Sequence, residues 1–114
     1  MNYVTRLLAA TRYSWQGIQH AIRHEAAFQT ELFALPWILG LAFYLGDTPF
    51  EIAILIASYL LVMLVELLNS AIEAVVDRIG SERHELSGAA KDLGSAAVFC
   101  ALLMAIIVWL GILL

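Results

Sequence analysis

The sequence predicts an all-α integral membrane protein: an N-terminal amphipathic surface helix followed by three transmembrane helices. Three observations predict it. Of the 114 residues, 62% are hydrophobic and only 14% are charged, a balance far from that of a soluble domain. The mean hydropathy is +0.86. The apolar residues gather into three long runs broken by two short polar interruptions, and all six basic residues flank the same side of those runs.

This length allows one domain, residues 1–114, with no linker, repeat or low-complexity tract. The single cysteine, Cys100, has no partner, so neither a disulfide framework nor a Cys/His zinc site is available within one chain. The net charge of −4 says less than where the charges sit. Nothing points to a nucleic-acid partner.

Residues 1–25 form the first element. Val4, Leu7, Leu8, Thr11, Trp15, Ile18 and Ile22 recur at helical spacing on one face. Arg6, Arg12, Tyr13, Gln16, His20, Arg23 and His24 lie opposite, while Ala10, Ser14, Gly17 and Ala21 make a small-residue facet suited to close helix contact. A basic polar face with a tryptophan on the apolar side fits a helix lying in the membrane interface. It is not read as a signal peptide, because no continuous apolar core or small-residue cleavage site is present.

Residues 28–46 form the first span. Phe28 to Leu45 is long enough to cover about 27 Å as a helix, with Pro36 as a tolerated kink. Gly46-Asp47-Thr48-Pro49 is a turn. The second span, 50–79, continues beyond the hydrocarbon. A polar loop is expected over 80–88, and Ala89 opens the third span, 89–114, which is uncharged from Leu93 onward. By the positive-inside rule the N-terminal helix and the 80–88 loop face the cytoplasm, while the Gly46–Glu51 turn and Leu114 lie on the far side.

The second span carries the chemistry. Glu66, Asn69, Glu73 and Asp77 follow at intervals of three, four and four, so they share one narrow arc of a helix. Each ionisable group at such depth costs roughly 2.5 kcal/mol or more on insertion. A packing role for Asn69 and Ser70 accounts for an amide and a hydroxyl. Three acids in register repel one another unless a cation or protons neutralise them, and a divalent metal is the natural neutraliser. Lys91, Asp92 and Ser95 share about a quarter of the next helix and face this stripe if the two helices pack antiparallel. There is no G-x-x-x-x-G-K-[ST] loop and no G-x-G-x-x-G. Carboxylates for Mg²⁺, cations for phosphates and a further acid to accept a proton are nonetheless the parts that phosphoryl transfer needs.

The run Glu66-Leu67-Leu68-Asn69-Ser70-Ala71-Ile72-Glu73-Ala74-Val75-Val76-Asp77-Arg78-Ile79-Gly80 resembles the prokaryotic diacylglycerol kinase family. So do His84-Glu85-Leu86-Ser87-Gly88, Ala90-Lys91-Asp92-Leu93-Gly94-Ser95, Tyr13-Ser14-Trp15 and Glu25-Ala26-Ala27-Phe28. The resemblance covers almost the whole chain. It implies a homotrimer in the bacterial inner membrane that transfers the γ-phosphate of MgATP to the hydroxyl of diacylglycerol, giving phosphatidic acid. By that resemblance Glu66 is the general base, and Glu25 and Glu73 hold Mg²⁺. Arg6, Tyr13, Glu82, His84, Lys91 and Asp92 contact ATP, with Arg83 of the same loop among the phosphate-facing cations. Arg6, Ser14, Trp15, Glu31, Glu66, Asn69 and Ser95 line or support the lipid site. Two alternatives stand beside this expectation: an undecaprenol kinase of the same family, and a small oligomeric cation or proton conductor whose acids line a path.

Overall fold

The computed structural model describes residues 2–80, 82 and 84–114. Four helices make up the chain: α1 (Tyr3–His24), α2 (Ala26–Leu45), α3 (Pro49–Ile79) and α4 (Glu85–Leu113). Three of them, α2, α3 and α4, are long and apolar enough to cross a membrane.

The helix ends follow from local chemistry. Asn2 caps α1, its Oδ1 accepting from the Thr5 backbone N–H at 2.8 Å. Glu25 alone separates α1 from α2, in extended conformation. Gln29 Nε2 braces that corner by donating to the Ile22 carbonyl at 2.7 Å. At the turn into α3, Thr48 Oγ1 accepts from Glu51 N, and Pro49 fills the first turn, where its missing N–H costs nothing. Gly46 has no alternative there, because a Cβ would sit 2.7 Å from Ile52 Cγ1. The last helix starts at Glu85, four residues before the Ala89 expected from the sequence. His84 is the reason: its Nδ1 accepts from Leu86 N at 3.0 Å and caps α4 inside the polar stretch.

The most extensive packing is between α3 and α4, followed by α2 on α3, and α1 rests lightly on α2. A small core joins the first three helices, with Ala21, Phe28 and Met63 buried and Leu32, Tyr59 and Leu67 packed around them. Leu55 is fully buried, and beside it Ser58 ties α3 to α4, accepting from Trp109 Nε1 at 3.1 Å. Gly94 lets α4 approach the Asn69 side chain so closely that any Cβ would overlap Asn69 Oδ1. Most large apolar side chains, among them Phe33, Trp37, Phe99 and Ile107, are exposed on the isolated chain, as expected where lipid or other chains cover them.

Candidate active site

The polar stripe foreseen on α3 is present, and its members engage neighbours at successive levels. Asn69 Nδ2 donates to Glu73 Oε1 at 3.1 Å, linking two of its positions along one turn. One turn further, Asp77 Oδ1 accepts from Lys91 Nζ at 2.8 Å across the α3–α4 contact. Lys91 therefore faces the acids, as the antiparallel pairing requires.

The other end of the stripe is more enclosed. Glu66 is half-buried, and the carboxyl of Glu31 of α2 lies close enough for the two charges to act on each other. Glu31 Oε2 is buried and has no donor, and the same is true of Asn69 Oδ1. Buried oxygens without a donor are uncommon; that of Asn69 is pressed against Gly94. Two facing carboxyls repel unless a proton or a cation stands between them.

Beyond Asp77 a cavity of about 500 Å³ opens between the end of α3 and the start of α4. Asp77, Glu82, His84, Glu85, Ser87 and Lys91 line it. It combines a cation, acids, an imidazole and a helix N-terminus, where free backbone N–H groups favour anions. A second, mostly apolar cavity of about 430 Å³ lies between α1 and α3. Ser14, His20 and Glu25 enter it from α1 and its junction, opposite Ser70, Ala71 and Ala74 of α3.

The other expected residues are distributed more loosely. Arg6, Tyr13 and Trp15 are exposed on α1, the Arg12 guanidinium resting 5.6 Å over the Tyr13 ring. Asp92 and Ser95 are exposed on α4 and line neither cavity. Arg83 lies outside the described residues. One chain thus gathers Glu31 with Glu66, Asn69 with Glu73, Asp77 with Lys91, Glu82 and His84, and Ser14 with Glu25. Ser87 and Ser70 were not among the expected site residues; the S-G and N-S pairs that hold them gave no signal beyond polarity.

Among the described residues, no three His, Cys, Asp or Glu side chains converge on one point. The expected metal pair is smaller and of suitable chemistry. Glu25 occupies the N-cap position of α2 without its carboxylate capping the helix, and among the described residues Glu73 spends only Oε1, on Asn69. One or two carboxylates, completed by phosphate oxygens and water, are what Mg²⁺ usually takes.

Comparison with known proteins agrees with the geometry. The model of the family described as prokaryotic diacylglycerol kinase matches residues 12–113, so Arg6 alone of the expected site residues precedes the match. A diacylglycerol kinase of Haemophilus influenzae is 56% identical over 110 residues, covering 96% of this chain and 93% of its own. That of Escherichia coli (strain K12) is 53% identical over 105 residues, 92% of this chain and 86% of its own. That of Pseudomonas aeruginosa is 50% identical over 109 residues, 96% and 89% respectively. With a family match over nearly its full length and relatives of this identity, the chain belongs to the prokaryotic diacylglycerol kinase family.

Proposed function

We propose that this protein is an ATP-dependent kinase that phosphorylates diacylglycerol to phosphatidic acid within the membrane. The observation that carries the reading is the graded stripe on α3, in a chain of this family. Its Glu66 end is half-enclosed beside Glu31, whereas its Asp77 end pairs with Lys91 and opens on a polar cavity. A lipid hydroxyl meets the first end and a triphosphate the second.

In this scheme the hydroxyl oxygen of diacylglycerol attacks the γ-phosphorus, the bond to the bridging oxygen of ADP breaks, and Glu66 takes the hydroxyl proton. Glu31, Asn69, Ser14, Trp15 and Ser95 support the lipid. Lys91, His84, Glu82, Asp92, Tyr13 and Arg6 hold the nucleotide, with Arg83 beside them, and phosphate oxygens replace Asp77 as the partner of Lys91. Glu25 and Glu73 hold Mg²⁺, which when bound neutralises the phosphate charge and fixes the γ-phosphate. The chain acts as a homotrimer in the bacterial inner membrane. Its α1 lies along the cytoplasmic interface, supported by the basic face of that helix and by the confinement of all six basic residues to one side. Trimerisation covers exposed apolar surface on α2–α4 and encloses acids that one chain leaves half open.

Purified protein is given radiolabelled ATP with diacylglycerol and undecaprenol in parallel. Label is expected in phosphatidic acid. Label in undecaprenyl phosphate alone moves the substrate to the polyprenol, and label in neither lipid overturns the kinase reading.

A further inference from the structure

Tyr59 is not among the residues the mechanism above uses, yet it makes a contact that bears directly on the lipid end of the site. Its hydroxyl donates to the main-chain carbonyl of Glu31 at 2.6 Å, joining α3 to α2. That carbonyl sits next to a weak point of α2. Pro36 has no N–H to give the carbonyl of Leu32, and its ring crowds the preceding turn. Tyr59 does not replace that bond: from outside the helix it adds a donor at the neighbouring carbonyl, that of Glu31, whose second lone pair can accept it. The ring itself is held, packed against the Ala21, Phe28 and Met63 core together with Leu32 and Leu67.

The register then matters. Tyr59 and Glu66 lie seven residues apart on α3, hence on one face and about 10 Å apart along the axis. Glu31 is gripped by Tyr59 through its main chain, and its side chain lies near Glu66. One helix thus fixes both ends of a single residue of its neighbour. We infer that Tyr59 is a positioning residue for the phosphoryl acceptor: its hydroxyl sets the height of Glu31 on α2 so that the Glu31 and Glu66 carboxyls frame the substrate hydroxyl. Tyr59 itself touches no reacting atom. The inference rests on the lipid-kinase reading for its kinetic consequence, but not for the geometry.

Tyr59→Phe removes the hydroxyl and keeps the packing. The kcat/KM for diacylglycerol is expected to fall about three- to tenfold, the worth of one hydrogen bond, while KM for MgATP stays put and the thermal midpoint falls by no more than it does in Trp109→Phe. Trp109→Phe is the control, since it breaks a hydrogen bond between α3 and α4 at Ser58. It should lower the thermal midpoint and leave lipid KM alone. A Tyr59→Phe enzyme with unchanged kinetics for the lipid overturns the inference, as does one that loses MgATP and lipid affinity alike. A second readout does not depend on turnover: the infrared carboxyl band of Glu31, assigned by its loss in Glu31→Gln. It should shift in Tyr59→Phe, and an unmoved band overturns the inference even if the wild-type protein transfers no phosphate.

Discussion

Gly94 and Lys91 lie one turn apart on α4 and fail in different ways when replaced. Gly94 sits against the Asn69 amide, so Gly94→Ala forces α3 and α4 apart or turns the amide away from Glu73. Overpacking of that kind costs about 1–3 kcal/mol, and the thermal midpoint in detergent should drop accordingly. Lys91 behaves otherwise. Its partner Asp77 is 67% exposed and Lys91 itself 47%, so solvent screens the pair and its loss scarcely affects stability. If Lys91 serves the phosphates, Lys91→Met should cut kcat/KM for MgATP roughly 10- to 100-fold, the worth of a hydrogen bond to a charged group, with no change in thermal midpoint. An unfolded Lys91→Met variant, or a fully active one, would contradict this role. The register of Glu66, Asn69, Glu73 and Asp77 was legible in the sequence because helical spacing alone fixes which residues share a face. The contacts of Gly94 and Tyr59 were not, because spacing says nothing about what stands opposite.

At the scale of elements, the sequence marked three spans and a leading helix, and the four observed helices agree with it. The start of α4 was misplaced because a histidine cap does not stand out in a polar stretch; only the structure shows His84 Nδ1 accepting from Leu86 N. The residue consequently has two tasks, capping the helix and lining the cavity beside Lys91. They separate by substitution. His84→Asn retains an N-cap acceptor and should keep the thermal midpoint while raising KM for MgATP. His84→Ala loses both, with a further cost of about 1 kcal/mol in helix stability. Equal thermal midpoints for the two variants would show that the cap contributes nothing. The Ser58–Trp109 tie was equally invisible in sequence, since both residues lie in apolar runs where periodicity favours no particular partner.

For the whole molecule, one chain leaves its site divided. Glu25 opens into a different cavity from the one that holds Lys91, and most apolar side chains lack cover. A site shared between subunits follows if Glu25 of one chain meets Glu73 of the next. Co-assembly of impaired Glu25→Gln and Glu73→Gln subunits should then raise activity above that of either variant alone, because some sites of a mixed assembly draw both residues intact. Full turnover by a strictly monomeric enzyme would refute sharing altogether. The orientation is tested in a Cys100→Ala background with cysteines at Gln16 and Ser87. An impermeant thiol reagent should reach them only after cells are broken, and labelling in intact spheroplasts would reverse the topology.

In the proposed mechanism one helical stripe divides proton transfer from metal binding by depth, and a magnesium titration of kcat and MgATP KM in Glu66→Gln and Glu73→Gln separates the two roles. If Glu66 takes the hydroxyl proton, its loss should lower kcat by about 10²–10⁴ with MgATP KM little changed at any magnesium level. If Glu73 holds the metal, losing that hard oxygen should raise MgATP KM, with partial recovery as magnesium rises. Magnesium rescue of Glu66→Gln, with Glu73→Gln unmoved, would contradict the assignment and exchange the two roles.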